Sequence, residues 1–150
     1  MIKHSVDINR SAAEVFAYFD QLERHSEWQR SLVSAKQETE GPTRVGTRVV
    51  ERRKVPGGTR SIPYEITERE PPYKASFRGI AGPVRPVGTV IVDPVGESSS
   101  RMTLELDIEG HGIGKLFAIL ARRQAAKEVP EDNEKFKEVL ESGAAAGPSR

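Results

Sequence analysis

Apolar and polar residues change their spacing three times along the chain, and each change predicts a different element. Ile2 to Asn9 alternates with period two, as a strand with one buried face does. Ser11 followed by Glu14 forms a capping box, and Val15, Phe16 and Phe19 set an apolar stripe on a helix over Ala12–Asp20. A short polar helical piece follows over Leu22–Trp28, apolar only at its ends, and is expected to lie over an edge or an opening.

From Leu32 to Glu109 the period returns to two. Strands are predicted over Leu32–Glu40, Thr47–Lys54, Thr59–Glu70, Tyr73–Gly79, Val84–Asp93 and Arg101–Glu109. Gly41-Pro42, Pro56-Gly57-Gly58 and Pro71-Pro72 mark the breaks. One polar face per strand predicts an antiparallel sheet with one wet side. Gly110–Gly114 reads as a flexible strand-to-helix joint, since no βαβ pattern surrounds it. A long helix then starts near Ile113, with Leu116, Phe117, Ile119 and Leu120 as its apolar face and Val129, Phe136 and Leu140 continuing it. Pro130 is expected to kink or split this helix. Residues 1–141 are read as one domain and Ser142–Arg150 as a flexible, frayed tail.

Composition narrows the function classes. The 150 residues carry 23 Lys and Arg against 22 Asp and Glu, a net charge of +1, which argues against an electrostatically driven nucleic-acid binder. With no cysteine, disulfides, thiolate catalysis and Cys-based zinc sites are excluded. No apolar run approaches the ~18 residues of a membrane span, and Met1-Ile2-Lys3-His4 carries no signal-peptide pattern. A cytoplasmic protein without stable membrane insertion is expected.

An inner sheet face larger than one helix can cover must curl around that helix, and the resulting grip leaves an apolar gap suited to small molecules. The chain resembles the START-like, birch-pollen-allergen-like (SRPBCC) superfamily, and within it the polyketide cyclase/dehydrase and lipid-transport group. The resemblance rests on Ser11-Ala12-Ala13-Glu14-Val15-Phe16, Asp20, Trp28, Gly41-Pro42 with Val45-Gly46-Thr47, Tyr64-Glu65-Ile66-Thr67-Glu68 before Pro71-Pro72, and Phe77-Arg78-Gly79. It covers residues 2–141. It implies an α+β helix-grip fold: a curved antiparallel sheet of about seven strands wrapped around a long C-terminal helix, with two short helices between the first two strands. It also implies a hydrophobic cavity, without naming the ligand.

Candidate chemistry is sparse. His4, His25 and His111 lack metal-ligand spacing and read as surface or loop histidines, so neither a metal nor a cofactor is expected. If Thr47 and Val49 face inward, Glu51 and then Arg53 share that face, and a desolvated Glu51 would serve as acid or base. A one-residue register shift would instead leave it wet. Arg123, with Gln124, either reaches the cavity or snorkels to solvent. Trp28 is either a core plug or a lid. Expected cavity-lining residues are Trp28, Val49, Tyr64, Phe77, Val90, Leu104, Leu116, Leu120 and Arg123.

Three functions fit these residues. The first is a non-catalytic binder or carrier of a small hydrophobic molecule such as a lipid, polyketide or isoprenoid. The second is a polyketide cyclase, aromatase or dehydratase using Glu51, Tyr64 and Arg123. The third is an interaction module, disfavoured because the outward strand positions Arg48, Arg52, Glu65, Arg78, Arg101 and Glu105 are charged.

Overall fold

A computed structural model describes residues 1–55 and 57–146. Seven strands, β1 (Ile2–Ile8), β2 (Leu32–Gln37), β3 (Arg48–Val55), β4 (Gly58–Glu70), β5 (Lys74–Gly79), β6 (Val84–Gly96) and β7 (Ser99–Gly110), form one antiparallel sheet in the order β1-β7-β6-β5-β4-β3-β2. Helix α1 (Ala12–Phe19) and a 3-10 turn over Leu22–Glu27 separate β1 from β2. Helix α2 (Gly114–Glu141) follows β7 and packs on β1, β6 and β7. This is the helix-grip arrangement, a curved antiparallel sheet holding a long C-terminal helix.

Local chemistry sets the element ends. Ser11 accepts from the Glu14 amide at 3.2 Å while the Glu14 carboxylate accepts from the Ser11 amide, closing the expected capping box. At the other end of α1, Asp20 takes a two-point contact from Arg69 on β4, at 3.1 and 2.6 Å. That bidentate pair fixes where the short helix meets the sheet.

Two apolar clusters hold the layers together. One joins α1 and the C-terminal half of α2 to β1, β5, β6 and β7 through Val15, Phe16, Phe19, Val90, Met102, Phe136 and Leu140. The other, Leu22, Leu32, Ala35, Val49, Tyr64 and Ile66, lies over β2–β4. Burying each of these larger side chains is worth roughly 1.5–3 kcal/mol.

Several expectations change on helix α2 and at its ends. Pro130 neither splits nor ends the helix, which runs 28 residues without interruption. The Ala126 carbonyl that Pro130 cannot serve belongs to an exposed residue, where water can satisfy it. The expected continuous apolar face is two faces. Leu116 and Leu120 precede Phe136 by 20 and 16 residues, nearly half a turn away at about 100° per residue, and they are exposed where Phe136 is buried. The joint before α2 is built for close approach as well as turning. Gly112 adopts φ +59°, and Gly114 lies so close to the Pro83 carbonyl that a Cβ there would collide with it. In the expected tail, residues 144–146 form a further 3-10 turn and Ala145 is buried, its carbonyl accepting from Arg24 at 2.8 Å. Residues 147–150 of that tail, and Pro56 of the β3–β4 turn, lie outside the described residues.

Candidate functional site

Between the sheet and the N-terminal half of α2 lies a cavity of about 350 Å³. Its apolar wall comes from β4, β5, β6 and β7, through Ile62, Tyr64, Ile66, Phe77 and Leu106, and from Phe117, Leu120 and Ala121 on α2. Gly88 on β6 allows one part of that wall. The Phe77 ring crosses over it so closely that a Cβ would meet the ring at 2.6 Å. The Tyr64 ring meets Phe77 at a tilt of 55°, with 5.4 Å between centroids. Its hydroxyl makes no hydrogen bond among the described residues, and burial pushes its pKa well above the ordinary phenol value.

One end of the cavity is polar. Period two on β3 turns Val49, Glu51 and Arg53 inward, as expected if Thr47 faces in, and Thr47 and Val49 are fully buried. Arg53 donates to Glu51 at 2.9 and 3.3 Å, to Ser31 at 2.9 Å and to Gln29 at 2.5 Å. Its guanidinium is therefore nearly saturated by the protein, and Glu51 is neutralised in place. His25 closes the same end. Its Nε2 lies 2.6 Å from the Phe19 carbonyl, which can only accept, so Nε2 carries the proton and Nδ1 faces the Gln29 amide at 3.5 Å. Burial lowers the His25 pKa and keeps the ring neutral.

Opposite β3, α2 presents Gln124, Glu128 and Asp132 to the cavity, one helical turn apart. Gln124 donates to Glu128 at 3.0 Å. Asp132 is only 8% exposed and accepts the Arg30 amide at 3.1 Å. Desolvation is the main reason its pKa rises from 3.8 to about 6, with the Glu128 charge acting in the same direction. No group of three His, Asp or Glu side chains among the described residues is arranged to hold a metal ion.

The residues singled out in the sequence divide into three groups. Glu51, Tyr64, Phe77 and Leu120 line the cavity. Trp28, Val49 and Val90 are buried in the apolar clusters, and Leu104 packs against one of them. Trp28 is a core plug, 5.1 Å from both the His25 and Phe136 rings, and its Nε1 has no hydrogen-bond partner among the described residues. Leu116 and Arg123 sit on the exposed side of α2, outside the cavity wall. The helix explains this. Phe117, Ala121, Gln124, Glu128 and Asp132 share the inward stripe, while Arg123 falls about 100° from Gln124.

Sequence reasoning put Arg53 on the inward face after Glu51 but passed over His25, Gln29, Ser31 and Asp132 as site residues. Arg53 was legible from the period-two pattern, and Asp132 from its helical spacing to Gln124 and Glu128. His25 reads as a surface residue in the sequence and is 4% exposed in the structure. Gln29 and Ser31 reach the site through a connection that carries no periodic signal.

The sheet order, the gripped helix and the apolar gap between them define a helix-grip protein. The chain belongs to the polyketide cyclase / dehydrase and lipid transport family, whose model matches residues 1–141. Similar solved structures include the Zhui aromatase/cyclase from a Streptomyces species, with TM-score 0.78, 13% identity and 97% and 96% of the two chains covered. A START superfamily protein from Mycobacterium smegmatis gives TM-score 0.73 at 14% identity, covering 93% of this chain and 97% of that one. The di-domain ARO/CYC BexL gives TM-score 0.71 at 18% identity. It is matched over 95% of this chain but only 46% of its own length, so this chain spans about half of that protein. These TM-scores establish a common fold. No curated protein matches the chain.

Proposed function

We propose that this protein binds a small, largely apolar molecule in the cavity between the sheet and α2, with a polar oxygen of the ligand at the Glu51–Arg53 end. One observation carries the reading: a largely apolar cavity of about 350 Å³ in which Glu51 and Arg53 are paired with each other. That volume lies near the lower end of the roughly 300–1,000 Å³ typical of ligand pockets. A saturated Arg53 offers little to a carboxylate, whereas the free Tyr64 hydroxyl can donate to a carbonyl or hydroxyl. Lipids, polyketides and isoprenoids with such an oxygen fit this description.

A second reading has its own support. Asp132, with a pKa of about 6, can both give and take a proton near neutrality, as a cyclase, aromatase or dehydratase acting on a polyketide held here would require. Fold similarity to the Zhui aromatase/cyclase is compatible with that chemistry. Native mass spectrometry of the purified protein, with Nile red titration, tests the binding reading. A copurifying lipophile or saturable dye binding, abolished in a folded Ala125→Phe variant that fills the cavity, is the expected result. Equal dye binding by the filled variant would refute it. Turnover of an aromatic polyketide precursor that vanishes in Asp132→Asn while dye affinity persists would establish the enzymatic reading.

A further inference from the structure

The least expected surface of this molecule is the first half of α2. Ile113 is 79% exposed and Leu116 74%, and Phe117, Ile119 and Leu120 are each about half exposed or more. Five large apolar side chains within eight residues form a patch that a free soluble surface rarely carries. Between Glu109 and Glu128 the chain has Lys115, Arg122, Arg123 and Lys127 and no carboxylate, although the whole molecule is almost neutral. Arg122 pairs with Asp107 at 3.2 Å. Lys115, Arg123 and Lys127 have no ion-pair partner among the described residues.

We propose that this end of α2 is a peripheral docking surface for an anionic lipid bilayer, with Ile113, Leu116 and Ile119 entering the headgroup boundary and Lys115, Arg123 and Lys127 meeting anionic headgroups. Charge selects this occupant over a second copy of the chain, because a two-fold contact through the patch would set its cations against their own equivalents. Position supports it as well. Phe117 and Leu120 are half-exposed and also line the cavity, so the cavity reaches the surface within the patch. An apolar ligand would then pass between bilayer and cavity without crossing water. The contact is interfacial, since no helix among the described residues is long and apolar enough to cross a membrane.

Vesicle co-sedimentation tests the proposal on the full chain. Wild type is expected to sediment with phosphatidylcholine vesicles containing phosphatidylglycerol, weakly with phosphatidylcholine alone, and less as salt rises. Replacing Ile113 and Leu116 by Asp should weaken partitioning at least tenfold. Lys115→Gln with Lys127→Gln, which leaves the apolar patch intact, should weaken it about fivefold per charge. None of these four residues lines the cavity, so Nile red affinity should be unchanged in both variants. A wild type that stays in the supernatant with anionic vesicles overturns the proposal. So does vesicle binding indifferent to both variants, or a solution dimer that the Ile113/Leu116 variant dissociates. Loss of Nile red binding in wild type itself would instead count against the ligand-binding reading, leaving the vesicle result to be judged separately.

Discussion

Asp132→Asn removes the charge of the carboxyl on the cavity wall while keeping its shape and its acceptor for the Arg30 amide. Burial raises the Asp132 pKa from 3.8 to about 6 in the folded state, whereas an unfolded chain keeps the ordinary value. The sign follows from linkage. Below the unfolded value both states hold the proton and the stabilisation is fully present. As pH rises toward 6 the unfolded chain ionises first, so stability is lost, and above the folded pKa the loss is complete. A rise of roughly two units corresponds to about 3 kcal/mol, and water entering an open cavity reduces that to about 2 kcal/mol. The asparagine variant, which carries no such loss, should be more stable than wild type by about 2 kcal/mol at about pH 7.5 and equal to it at about pH 3.5. For a chain of this length the difference is about 4–8 °C in Tm. Thermal unfolding followed by circular dichroism across this range reads it directly. A variant destabilised by the same amount at every pH would refute the reasoning. Asp132 would then serve through hydrogen bonding or its attraction to Arg53, not as a desolvated acid.

Three further substitutions probe the cavity walls. Arg53→Met strands the buried Glu51 carboxylate and should cost about 2–4 kcal/mol in urea unfolding, whereas Glu51→Gln, which leaves the partly exposed Arg53 its Ser31 and Gln29 contacts, should cost about 1 kcal/mol; equal costs would mean the pair is not desolvated. Gly88→Ala pushes a methyl into the Phe77 ring. It should lower stability by about 1–3 kcal/mol and weaken Nile red binding as the ring moves into the cavity, and unchanged dye affinity would place the ligand elsewhere.

The strand pattern, the capping box and the inward register of β3 were all written locally. Period two is a property of the extended backbone, and Thr47, Val49 and Glu51 must share a face in any strand that contains them. Those local rules also turn Tyr64 and Phe77 inward on their own strands, and the β4–β5 register, with Phe77 opposite Ile66, brings the two rings together. Helix α2 shows where local reading ends. Both of its apolar rows look like core in the sequence, because a row of leucines and a row holding Phe136 have equal hydrophobicity. Only the side of the helix that turns to the sheet decides which row finds a partner. The row holding Val129, Phe136 and Leu140 faces the sheet and is buried, while Ile113 and Leu116 lie on the other side of the helix, in solvent. The same limit applies to His25, Gln29 and Ser31. Their side chains are polar and aperiodic, and they become a site only because the 3-10 turn and the connection after it are folded over the end of β3. Periodicity assigns a residue to a face of its own element. What that face meets is set by the packing of elements distant in sequence, and the polar end of the cavity is built from those meetings.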